Sequence, residues 1–142
     1  MYENYTRQAL PEKEYRALMG SAICVFASNN AFMIENIIGT DSSYSWYDLI
    51  DMESGRLKTH IKETICAKTG NTQIYELFDN IVDMRNRIMH AYQITSRGKQ
   101  VLATKTKKEK GNIQFEITED YLMDFIKKNE KLCDMLHSYR GY

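Results

Sequence analysis

After Pro11 the chain meets no further proline, and only seven glycines punctuate the whole of it. These two residues break helices, proline through a fixed φ and a missing N–H, glycine through excess backbone freedom. A chain so poor in them accommodates long helices more readily than many short strands. At 142 residues it supports one hydrophobic core and is too short for two substantial ones. Residues 1–142 are therefore expected to form a single domain of mostly α class.

The spacing of apolar residues gives that class its elements. Pro11 suits the first turn of a helix that carries Tyr15, Leu18, Met19, Ala22, Phe26, Met33 and Ile37 and reaches Gly39, a natural stop. Capping-type residues then open a segment with Trp46, Leu49, Ile50, Leu57, Ile61 and Ile65, broken at Ser54-Gly55. It predicts a shorter helix over about 55–68 with a helical turn before it. From Thr72 to about residue 93, Ile74, Leu77, Phe78, Ile81, Val82, Ile88, Met89 and Tyr92 form the strongest amphipathic pattern of the chain. The period then changes. Val101 and Ala103, and Ile113, Phe115 and Ile117, alternate on either side of a lysine-rich tip with a Lys-Gly-Asn turn, which predicts a β-hairpin. Thr118 caps a last helix through Leu122, Phe125, Ile126, Leu132, Cys133 and Leu136. The expected architecture is an up-and-down bundle of about four helices with a hairpin inserted before the last.

Nineteen basic residues balance nineteen acidic ones, so the overall field attracts neither nucleic acid nor an anionic membrane, and any polyanion must be met by a local patch. Cys24, Cys66 and Cys133 are odd in number, far apart and set among apolar residues. They predict buried thiols in a reducing cytoplasm rather than disulfides or metal ligands. The first fifteen residues hold no apolar signal core, and no apolar run approaches a membrane span. A cytoplasmic protein without a membrane partner is the expectation.

One residue contradicts its own helix. With Arg85 taken as zero on the helical wheel, Ile74, Phe78, Ile81, Met89 and Tyr92 all fall within about 40° of it. A permanent cation thus sits on the apolar stripe, where an unpaired guanidinium is costly unless it meets a carboxylate, a wet cleft or a bound anion. Asn86 and His90, four residues apart, border the same stripe. Glu35 on the first helix could neutralise Arg85; His90 could be a satisfied core histidine, and Tyr92 an ordinary core residue with its hydroxyl at the surface.

Taken together, Arg85, Asn86, His90 and Tyr92 resemble the R-N-x-x-x-H signature of the HEPN superfamily, and the R-x4-H-x-Y spacing is similar to that of HepT toxins. The resemblance is specific over about ten residues and loose over the rest of the chain. It implies a HEPN-like bundle that acts as a homodimer, with two motif helices facing across a two-fold axis. It further implies an endoribonuclease needing neither metal nor cofactor. His90 would move the proton of a ribose 2′-hydroxyl, Arg85 would stabilise charge on phosphorus, and Asn86 would orient the phosphate or its neighbour. Tyr92 corresponds to the tyrosine that a partner nucleotidyltransferase antitoxin adenylylates. The inserted hairpin is more like elaborated HEPN proteins of bacterial defence systems, so the expected setting is a toxin-antitoxin or phage-defence system.

Between residues 97 and 110, Arg97, Lys99, Lys105, Lys107, Lys108 and Lys110 face one acid, Glu109. Such an arm suits an RNA backbone, and it equally suits a solvated strand edge that resists aggregation. His60 and His137 lack ligand-like neighbours, so no metal site is expected. Tyr44, Trp46 and Tyr47 could stack on bases, though packing onto the bundle is the simpler expectation. Two other readings stay open: a non-catalytic HEPN domain used for dimerisation or nucleotide binding, and a helical adaptor in which Glu35 neutralises Arg85.

Overall fold

The structure, a computed structural model, describes residues 1–141. In chain order it comprises α1 (Lys13–Thr40), α2 (Trp46–Asp51), α3 (Ser54–Ile61), a π-helical segment (Lys62–Cys66), α4 (Ala67–Thr69), α5 (Gln73–Met89), β1 (Tyr92–Ser96), β2 (Lys99–Lys105), a 3₁₀ turn (Lys108–Lys110), β3 (Gln114–Glu116) and α6 (Glu119–Arg140). The mostly α class is as expected. The predicted helix over 55–68 is α3 continuing through the π segment into α4, and α2 is the helical turn before it.

α1 and α6 form the main packed pair of the bundle, with α5 alongside α6. Ala22, Phe26, Met33 and Ile37 of α1 lie at four- and seven-residue steps, so one side of the helix is buried. Leu122, Phe125, Leu132 and Leu136 supply the matching side of α6. Thr118 caps α6 as expected, its hydroxyl accepting from the Tyr121 N–H at 3.0 Å.

Inside this interface lies a polar pair. The Asn29 side-chain amide donates to Asn129 Oδ1 at 2.9 Å and to the Asn129 carbonyl at 2.7 Å, with both residues buried. Asn129 in turn donates to the Phe125 carbonyl at 2.9 Å. Only one sliding position of α1 on α6 satisfies these groups, so the pair sets the register. Asn29→Leu strands the Asn129 oxygen in the core and is expected to cost about 1–3 kcal/mol by denaturant unfolding, whereas adding Asn129→Leu recovers part of it.

By length and hydropathy α1 also meets the requirement for crossing a membrane. This corrects the expectation that no run approaches that length. The apolar residues are interrupted by Gly20-Ser21 and Ser28-Asn29-Asn30, which hides the helix from a search for one continuous run. Ile23, 46% exposed, is the large apolar residue that α1 turns outward, while Leu18, Met19, Phe32 and Ile38 pack against the core.

The inserted element is a three-stranded antiparallel sheet in the order β1-β2-β3 rather than a two-stranded hairpin. β2 and β3 are the expected strands, with Ala103 opposite Glu116. β1 comes from the predicted end of the third helix: Tyr92 pairs with Ala103 and Ile94 with Val101. Arg97 and Gly98, both at positive φ (53° and 76°), make the tight turn between β1 and β2. Tyr15 ties the sheet to α1, its hydroxyl donating to the Ile117 carbonyl at 2.5 Å and accepting from the Leu102 N–H at 3.2 Å.

Two expectations about burial are corrected. Cys24 is exposed and Cys133 half-buried, leaving Cys66 as the buried thiol. Trp46 and Tyr47 are 42% and 78% exposed, because the short α2 buries Leu49 and leaves its first turn outside.

Candidate functional site

Arg85 comes from the one stretch of α5 where the apolar stripe emerges from the core. Phe78, Ile81 and Ile88 are buried, but Met89 is 51% exposed. Opposite, α1 offers Ile23 and Phe26, α2 offers Ile50, and the α2–α3 link offers Met52. Between them opens a groove of about 370 Å³, with Phe125 of α6 also on its wall. Its lining is apolar apart from Arg85 and a polar side made by Asn30, Glu53 and Ser54.

The Arg85 guanidinium carbon lies 5.5 Å from the centre of the Phe26 ring, a cation–π arrangement. One of its terminal nitrogens donates to Asn86 Oδ1 at 3.2 Å. Among the described residues no carboxylate forms an ion pair with it. Glu35 instead faces Arg140 at 3.9 Å, so the reading in which Glu35 neutralises Arg85 is overturned. A half-buried guanidinium held by a ring and a neutral amide keeps most of its donor fork for an anion.

His90 terminates α5, its backbone N–H bonding to the Asn86 carbonyl at 3.0 Å. It is exposed, not the buried core histidine that was one alternative. Its ring is not on the groove wall, which Arg85, Ile88 and Met89 supply from α5. Arg85 and Asn86 are thus brought together, and His90 stands exposed at the end of the helix, outside the groove lining. Tyr92 lies beyond the helix as the first residue of β1, 43% exposed, which corrects its expected place on the motif helix and in the core. Strand pairing with Ala103 outweighs the helical spacing there.

The basic arm divides. Arg97 and Lys99 sit at the β1–β2 turn, where Lys99 meets Glu12 at 3.3 Å. Lys105, Lys107, Lys108 and Lys110 sit at the other end of β2; seven strand residues separate the two groups by roughly 20 Å. Lys105 donates to Asn112 Oδ1 at 2.6 Å, and Lys107 lies 3.2 Å from Asp83.

Residues without a signal in the sequence also gather. His60 Nδ1 lies 3.0 Å from the Tyr44 hydroxyl, which donates to Glu63 at 2.9 Å. The i, i+3 spacing of His60 and Glu63 was visible, but Tyr44 is brought in by the fold. Arg87 has the spacing of a solvent-facing residue, yet it donates to the Lys105 carbonyl at 2.8 Å and holds β2 against α5. Tyr121 stands nearby. Burial, then the adjacent Asp83, opposed by Arg87, pushes its hydroxyl up to about 12. The unfolded chain therefore gives up this proton first, near pH 10. Stability is expected to fall as pH rises from about 10 to about 12. Denaturant midpoints for Tyr121→Phe should fall less across that window. Among the described residues, no three His, Cys, Asp or Glu side chains converge as a metal-holding set. No family model, curated protein or solved structure matches the chain.

Proposed function

We propose that the protein is a metal-independent endoribonuclease of the HEPN type, acting as a homodimer in a toxin-antitoxin or phage-defence setting. The observation that carries the reading is Arg85, a guanidinium without a carboxylate partner, seated over Phe26 beside Asn86 and open to a groove. The motif resemblance names the chemistry. His90 takes the proton of a ribose 2′-hydroxyl, and the freed oxygen attacks the adjacent phosphorus. The bond to the 5′-oxygen then breaks, and that oxygen leaves with a proton given up by the imidazolium so formed. The products are a 2′,3′-cyclic phosphate and a 5′-hydroxyl. Arg85 meets the charge that builds on the phosphoryl oxygens, and Asn86 fixes the orientation of Arg85.

A second copy of the chain suits the groove. Ile23, Ile50 and Met89 around it are 46%, 37% and 51% exposed, and Trp46, one turn from Ile50, is 42% exposed. An apolar rim of this kind is what an isologous contact covers. It would bring two Arg85–His90 sets to one seam. The basic residues Arg97, Lys99, Lys105, Lys107, Lys108 and Lys110 do not line the groove and would meet other parts of a long RNA backbone, and adenylylation of Tyr92 by a nucleotidyltransferase antitoxin would add bulk and negative charge at the edge.

The position of the His90 ring, outside the groove wall, favours a second reading in which the groove dimerises or binds nucleotides without cutting. One experiment separates them. Purified wild type, Arg85→Ala and His90→Ala are incubated with single-stranded RNA, and the product ends are identified. Cyclic phosphate ends from wild type alone support the nuclease. RNA binding by all three proteins with no cleavage by any supports the binding module.

A further inference from the structure

A separate pocket opens on the opposite side of α5. Two residues from Arg85 is about 200° around the helix, so Arg87 faces away from the groove described above. Asp83, Met84 and Arg87 share this side, and Tyr121, Asp124 and Lys128 of α6 stand across from it. The lysine-rich loop between β2 and β3 forms the third wall with Lys107 and Lys110, joined by Phe115 of β3. The enclosed volume is about 270 Å³.

The charges in this pocket do not cancel. Four cations, Arg87, Lys107, Lys110 and Lys128, face two carboxylates, leaving an excess of two positive charges in a protein whose total is zero. Lys107 lies 3.2 Å from Asp83, and Lys128 lies 3.3 Å from Asp124. Lys110 has no carboxylate partner among the described residues. Arg87 spends one terminal nitrogen on the Lys105 carbonyl, and its Nε is buried with no hydrogen-bond partner. A buried N–H left without an acceptor is rare in a folded protein, and an ordered water or a bound anion satisfies such a group. Asp83 Oδ1 is likewise buried and accepts no well-directed bond, its Lys107 contact being close in distance only.

The apolar part of the pocket is aromatic. Phe115 and Tyr121 lie with ring centres 5.7 Å apart, tilted by 51°, and both are half-buried. Tyr121 keeps its hydroxyl proton at neutral pH and remains a neutral donor. Cationic donors beside aromatic faces are the combination that holds a phosphate and the base attached to it. The volume is near the lower end for small-ligand sites, which suits a mononucleotide-sized occupant.

We infer that the pocket formed by Arg87, Lys107, Lys110 and Lys128 with Phe115 and Tyr121 binds the phosphate and base of a nucleotide, either free or as one unit of an RNA strand. The site does not depend on cleavage at the Arg85 groove, and it stands if that reading fails.

Calorimetric titration tests it with uridine, inorganic phosphate, UMP and a short oligouridylate. UMP is expected to bind more tightly than phosphate, and uridine not measurably. Lys110→Glu, at an exposed position where folding is not at stake, should weaken UMP binding about tenfold or more. Arg87→Lys keeps a charge able to reach the Lys105 carbonyl but loses the fork, and should weaken it several-fold at an unchanged circular dichroism spectrum. Arg85→Ala should leave in place the UMP uptake that Lys110→Glu weakens. If the oligouridylate binds no better than UMP, the occupant is the free nucleotide; if it binds better, the RNA strand. The inference is overturned if uridine or phosphate alone binds as well as UMP, if no probe binds, or if Arg85→Ala rather than Lys110→Glu removes binding.

Discussion

Arg85→Ala is expected to lower RNA cleavage by roughly two to three orders of magnitude, the usual loss when one preorganised donor to a developing oxyanion is removed. The melting temperature should hardly move. Among the described residues, Arg85 is tied to its surroundings by the Phe26 ring and the Asn86 amide, contacts worth about 1 kcal/mol together. A large kinetic effect beside a small thermal one is the mark of a group held for a substrate rather than for the fold. His90→Ala should cost roughly two to four orders of magnitude through lost proton transfer. Because His90 is exposed at the end of α5, its replacement should be thermally silent as well. Equal cleavage by wild type and both folded variants would end the nuclease proposal. Undiminished cleavage by His90→Ala alone would move the proton to another group.

How much of this was legible beforehand depends on how local each cause is. The α1, α5 and α6 patterns repeat every three or four residues, and Thr118 announces its helix by a side chain bonding three residues on. Such causes lie within one turn and are readable in order. The end of α5 is not of this kind. Tyr92 continues the helical spacing, and no glycine closes the helix, yet the chain turns at His90 and Ala91 because residues ten or so further on offer β1 a partner. Strand pairing of that sort is decided by the sheet as a whole. The same contrast runs through the candidate site. Arg85 was conspicuous because a cation on an apolar stripe conflicts with its own helix. Arg87 conflicted with nothing, and only the arrival of Lys105 from β2 reveals that it is a half-buried strut. The lysines of residues 97–110 were visible as charge, but their division between Glu12 at one end and Asp83 at the other required the length of β2.

The largest effect on stability is expected at Phe125. Its ring is 1% exposed and stacks on Phe26 with centres 6.2 Å apart and planes 28° from parallel. It therefore joins α6 to α1 on the side where Phe26 carries the Arg85 guanidinium. Phe125→Ala removes a whole ring from a close-packed interior and should cost about 3–5 kcal/mol, part transfer and part residual cavity. For a domain of this size that is a fall of roughly 10 °C or more in melting temperature. The milder Phe125→Leu refills most of the space, so its thermal loss should be smaller by more than half. Its effect on the groove should not shrink in proportion. Leucine cannot stack on Phe26, and a Phe26 ring free to tilt no longer holds Arg85 over one face. If the groove acts on RNA, Phe125→Leu should lose cleavage well beyond its loss of stability. A thermal shift of only a degree or two for Phe125→Ala would mean that the Phe26–Phe125 contact does not join α1 to α6, and the footing assigned to Arg85 would go with it.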